Sequence, residues 1–98
     1  MSSKEYIYRD DKYTLERGAT ELILRFNDEI YKLTYHAYEP CTYIEHNGVR
    51  IVMHDGFDLY FVVKSIENNK GIRRWEESYT PAQFCDLMIS EWHKNQAK

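Results

Sequence analysis

The residues best suited to chemistry are four histidines, His36, His46, His54 and His93, and two cysteines, Cys41 and Cys85. Zinc sites usually take ligands paired closely in sequence, as in C-x-x-C or H-x-x-x-H on a helix. No such pair occurs, and no residue is assigned to a metal or a cofactor. One thiol arrangement stands out. If "CTYIEH" and "VRIVMH" pair across Asn47-Gly48, Cys41 falls nearly opposite His54. A cysteine beside an imidazole can become a nucleophilic thiolate when a third group orients the base. The sequence shows no orienting motif and no oxyanion-type loop, so the chain reads as non-enzymatic, with Cys41 and His54 as the sole catalytic candidate. Cys85 belongs to an apolar helix face, where free cysteine is commonly a buried hydrophobe.

Acids cluster in "RDD", "HDGFD" and "WEES". General acid–base work needs two carboxyls at a fixed distance, which spacing alone does not supply. Turn chemistry accounts for Asp10, Asp11, Asp28 and Asp55. The segment "KGIRRWEES" joins Lys70, Arg73 and Arg74 to Trp75. A cation beside an aromatic ring can grip a phosphate or stack a base. Glu76 and Glu77 partly cancel that charge, and Arg and Trp are favoured at the centres of protein contacts. Among the tyrosines, Tyr13, Tyr31 and Tyr35 fall on the expected core face. Tyr43 falls opposite, beside Val52, and Tyr38 lies in the proline segment. An outer surface with Ile23, Ile30, Tyr43 and Val52 is more apolar than a solvated sheet requires. The candidate interaction surface is therefore Tyr38, Tyr43, Val52, Arg73, Arg74 and Trp75.

The elements that position these residues follow from apolar periodicity. "YIYR" (6–9), "KYTLER" (12–17) and "TELILRF" (20–26) alternate as half-buried strands. A two-residue turn at Gly18-Ala19 would set Leu15 against Leu22 and Tyr13 against Leu24. A turn at Asn27-Asp28 sets Leu22 against Leu33 and Leu24 against Tyr31. Pro40 marks a sheet corner or edge. Asn47-Gly48 is the strongest hairpin signal, and it pairs Ile44 with Ile51 and Glu45 with Arg50. "FDLYFVVKSI" (57–66) reads as a further strand after a His54-Asp55-Gly56 loop, with Met53 against Phe57, Ile51 against Leu59 and Val49 against Phe61. "IRRWEES" reads as a short last edge strand. Thr80-Pro81-Ala82-Gln83 spells a capping box with proline at the first helical position, and Tyr79 can staple onto Phe84. The helix, about 81–95, gathers Phe84, Cys85, Leu87, Met88, Ile89 and Trp92 on one broad face.

The 98 residues make one domain, 1–98, long enough for a real core. Net charge is −3 with no basic cluster, so nucleic acid is not the expected partner. No apolar stretch approaches a bilayer span and no apolar leader opens the chain, so the expectation is a cytoplasmic protein with reduced thiols. The fold class is α+β: a curved antiparallel β-meander of about six or seven strands, barrel-like if it closes, with one C-terminal helix packed on it. In element order, strands first and a tryptophan-bearing helix last, the chain resembles pleckstrin-homology-type barrels. The resemblance is architectural, and no site residue is taken from it. The functional expectation is a small module that binds a protein partner or a second copy of itself. The alternative is a small-molecule or lipid-headgroup binder that uses a pocket between the curved sheet and the helix.

Overall fold

A computed structural model describes residues 5–18, 20–35, 42–53 and 57–96, without the side chains of Glu5, Tyr35 and Gln96. The elements run β1 (Glu5–Arg9), β2 (Tyr13–Arg17), β3 (Glu21–Phe26), β4 (Glu29–Tyr35), β5 (Thr42–His46), β6 (Val49–Met53), α1 (Leu59–Glu67), β7 (Ile72–Arg74), β8 (Glu77–Tyr79) and α2 (Pro81–Gln96). The first six strands form one antiparallel sheet in sequence order, and β7 pairs with β8 apart from it. The α+β class with a C-terminal helix on a meander is as the sequence predicts. The sheet stays open, with β1 and β6 as its edges, so the barrel-like closure does not form.

Turn chemistry sets most of the register. Asn27 takes φ 59°, and Leu22 pairs with Leu33 and Leu24 with Tyr31 as expected. Asn47 and Gly48 take φ 53° and 77°, which is the doubly left-handed turn that favours Asn-Gly. Ile44 then meets Ile51, and Glu45 meets Arg50. The β2–β3 corner sits one residue later than expected. The Gly18 amide donates to the Glu21 carbonyl, and Leu15 pairs with Leu24 and Tyr13 with Phe26. Each pair moves by two residues, so every side chain keeps its face.

The large departure is residues 57–66, which are not a strand. Asp58 is an N-cap whose carboxylate accepts from the Tyr60 and Phe61 amides, and α1 follows it. Leu59, Val62, Val63 and Ile66 recur at helical spacing and are all buried. The expected pairs of Met53, Ile51 and Val49 with Phe57, Leu59 and Phe61 are therefore absent. Residues 54–56, including His54, lie outside the described residues. "IRRWEES" is likewise not one strand but a hairpin that turns at Trp75 and Glu76.

The core gathers Leu15, Leu22, Leu24, Tyr31, Leu33 and Ile44 from the sheet, Val62 from α1, Ile72 from β7, and Phe84, Cys85, Met88 and Trp92 from α2. The α2 capping box is complete. The Thr80 amide donates to Gln83 Oε1, and the Gln83 amide donates to Thr80 Oγ1. Three aromatic tips tie α2 to the sheet. Tyr13 donates to Asp86, Tyr31 meets His93 Nε2 at 3.0 Å, and Trp92 Nε1 donates to the Val49 carbonyl at 3.1 Å. Tyr79 and Phe84 share a third ring. Both place their rings edge-on against Phe57, at 5.6 and 5.0 Å between centroids.

The β1–β2 corner makes stability depend on pH. Asp10 Oδ1 accepts from the Lys12 and Tyr13 amides, and its carboxylate also accepts from Tyr8. Chiefly through the Tyr8 bond, the Asp10 carboxyl is held below its usual range, and Tyr8 is pushed up to about 12. Charged Asp10 therefore stabilises the fold above its unfolded value of about 3.9, and that contribution fades as pH falls through the lower folded value. Tyr8 acts in the opposite sense: its contribution is complete below about 10 and fades toward about 12. Thermal melts of the wild type and Asp10→Asn should differ most near neutral pH and converge as pH falls through the lowered Asp10 range. An equal gap at both ends would refute the assignment.

Candidate interaction surfaces

The predicted surface residues fall into two places. Tyr43 and Val52 sit directly opposite each other on β5 and β6, on the face turned away from the helices. Val52 there is exposed and Tyr43 half-buried. The Arg50 guanidinium lies 5.0 Å above the Tyr43 ring, and Arg9 lies 5.3 Å above Tyr6. Arg73, Arg74 and Trp75 are instead on the β7–β8 hairpin, in the helical layer across the sheet. Tyr38 lies outside the described residues, as do His36, Pro40 and Cys41, so the Cys41–His54 pairing also falls outside them.

Trp75 is the unusual member. Four described non-glycine residues have positive φ; three are asparagines and the fourth is Trp75, at φ 58°. Asparagine tolerates the left-handed region through its short polar side chain, whereas an indole gains nothing there. The ring is 70% exposed, so burial does not repay the backbone. Arg74 is held among three rings, with its guanidinium carbon 4.8 Å from Phe57, 5.0 Å from Trp75 and 5.8 Å from Tyr79. Arg74 Nη2 also donates to the Tyr79 hydroxyl at 3.4 Å, and that hydroxyl donates to Glu77. Beside this hairpin, β8 and α2 border a shallow, open depression of ≈ 570 Å³ lined by Glu77, Ser78, Tyr79, Gln83, Asp86, Leu87 and Ser90.

Two polar clusters escaped the sequence reading. His46 ends β5 as expected, but it is 3% exposed rather than solvated. Its ring stacks on Tyr31 at 3.9 Å and stands edge-on to Trp92. Nδ1 donates to the Ile30 carbonyl at 2.8 Å, and Nε2 faces Glu29 at 2.9 Å. Both ring nitrogens thus face protein partners, the Ile30 carbonyl and the Glu29 carboxylate. The only signal was parity, because His46 shares a strand face with Ile44. Glu16 is 2% exposed although it lies on the outer face, and Arg25 Nε donates to it at 2.6 Å. Charge spacing gave no hint of that burial. Among the described residues no three His, Cys, Asp or Glu side chains come together as a metal site. No helix among them is long and apolar enough to cross a membrane. No family model matches the chain, nor does any curated protein or solved structure.

Burial, reinforced by Asp10 and Asp86, pushes the Cys85 thiol up, away from the reactive thiolate. Alkylation of native protein at neutral pH, followed by peptide mass mapping, should leave Cys85 unmodified until denaturant is added. Fast native labelling of Cys85 would contradict its placement. For Trp75 the informative comparison is between two truncations. Both Trp75→Gly and Trp75→Ala lose the ring, but only glycine relieves the left-handed backbone. Glycine should be the more stable by about 1 kcal/mol, the reverse of the usual order at exposed sites. Equal melting temperatures would argue against the left-handed turn.

Proposed function

We propose that the chain is a non-enzymatic interaction module that binds a protein partner, with Trp75 as the contact anchor and Arg73 and Arg74 beside it. One observation carries this reading: a largely exposed tryptophan occupies a backbone position that glycine would fill at lower free energy. Within the fold the ring meets the Arg74 guanidinium, and most of the residue's surface stays open to a partner. Tryptophan and arginine are the side chains most enriched where partners concentrate their binding energy. The neighbouring depression is open and bordered by Glu77, Ser78, Asp86 and Ser90, which suits the hydrogen-bonding surface of a polypeptide more than an enclosed small ligand.

Trp75→Gly makes a clean probe because it removes the anchor without straining the hairpin. Immobilised wild-type protein should retain a polypeptide that the glycine variant releases, with both proteins folded by circular dichroism. Equal retention by the two would remove Trp75 from the interface. A small molecule carried by the wild type in native mass spectra, with no polypeptide bound, would decide for the ligand-binding alternative.

A further inference from the structure

We propose that β6 is a self-association edge: it pairs antiparallel with β6 of a second copy, about a two-fold axis at Ile51, and joins two six-stranded sheets into one. The surface is distinct from the Trp75 hairpin, so the inference does not rest on the partner reading above.

The two edges of the sheet differ. β1 carries a register shift between Tyr6 and Tyr8, the kind of irregularity that blunts a free edge. β6 pairs with β5 through five consecutive residues without a shift. Its sequence, Val-Arg-Ile-Val-Met, holds no proline and a single charge. Among the described residues no strand lies on its far side. Val49 and Val52 remain 39% and 38% exposed.

Backbone geometry sets the register that a second copy takes. His46 and Val49 close a two-residue turn, so that pair exchanges its hydrogen bonds across the hairpin. Alternation then points the backbone groups of Ile51 and Met53 toward β5, and those of Arg50 and Val52 outward. With the axis at Ile51, Arg50 of each copy meets Val52 of the other, and all four outward donors and acceptors in each copy are satisfied. A shift of one residue along the strand loses this match. On the helix side the two Ile51 side chains meet at the axis, apolar against apolar. On the outer face each arginine keeps its own Glu45 opposite and gains the other copy's Val52 as its new neighbour. The surface is thus complementary to itself, as an isologous contact requires. A strand this short gives a reversible dimer that dissociates on dilution.

The register supplies the test. Ile51 would be a non-hydrogen-bonded pair with its own symmetry mate, where Cα atoms approach closely enough for a disulfide. Under mild oxidation Ile51→Cys should give a 51–51 linked peptide by mass spectrometry, and Arg50→Cys should give no 50–50 link. Light scattering over a concentration series should show wild type and Trp75→Gly passing from monomer to dimer. Val52→Pro removes an outward amide and no bond to β5, so it should stay folded and monomeric. A wild type that stays monomeric up to the millimolar range would overturn the proposal. So would a dimer that survives Val52→Pro without a 51–51 link. Ile51→Cys linked to another protein's peptide instead of its own copy would decide for a foreign strand at this edge.

Discussion

Everything in this molecule hangs on the two-residue period of its antiparallel ladder. Because alternate side chains point to opposite faces, Leu15, Leu24 and Tyr31 share one row and Leu22, Leu33, Ile44 and Ile51 another. A single-residue slip in β2, β3 or β4 would turn its leucines to water and its charges into the core. Shielding that face falls to both helices. Phe84, Met88 and Trp92, each one turn apart, lay the α2 stripe across it. The contact is more than apolar. Tyr13, Tyr31 and Trp92 bury their rings and spend their polar tips on Asp86, His93 and the Val49 carbonyl. Those bonds fix where α2 sits along the strands, which apolar burial alone would leave loose.

Much of this was legible because the signals were local and agreed with one another. Asn47-Gly48 dictated its own turn geometry, and Thr80 with Gln83 dictated a helix start; both form as written. The β2–β3 corner shows the limit. Gly18 marked a turn but not which residues it encloses, and moving every pair by two leaves the faces intact. Face assignment is therefore more robust than pairing. Residues 57–66 show a deeper ambiguity. Their apolar residues satisfy alternation against β6 and also satisfy helical spacing through Leu59, Val62, Val63 and Ile66. Phenylalanine and valine argued for a strand. The Asp58 cap argued for a helix, and a cap is a strong signal where a short apolar run leaves period undecided.

The surfaces were legible in composition and hidden in conformation. "IRRWEES" advertised arginine beside tryptophan, but nothing in those letters says the indole stands on left-handed backbone, because turn rules reserve that position for glycine or asparagine. That violation separates Trp75 from an ordinary exposed aromatic such as Tyr60, which stands on a regular helix. Burial of Glu16 and His46 was hidden for another reason. Each is buried by neighbours from other strands: Arg25 on β3 for one, and Glu29 and Tyr31 on β4 with Trp92 on α2 for the other. Long-range packing of that kind leaves no mark at short sequence spacing.

The change of residues 57–66 from strand to helix reaches beyond local assignment. As a seventh strand, the segment would have covered the far side of β6 and satisfied the outward backbone groups of Arg50 and Val52. As a helix capped by Asp58 it satisfies its own backbone and brings Leu59, Val62 and Ile66 into the core instead. One aspartate and a helical repeat thus decide what fills the interior and leave β6 as the last strand of the described sheet. The two exposed features then differ in kind. At the proposed β6 edge, selectivity would come from register and side-chain fit. The β7–β8 hairpin offers one large ring and a held guanidinium, where selectivity comes from the shape of whatever receives them. The two lie in different layers of the molecule, one in the six-stranded sheet and one on the helical side.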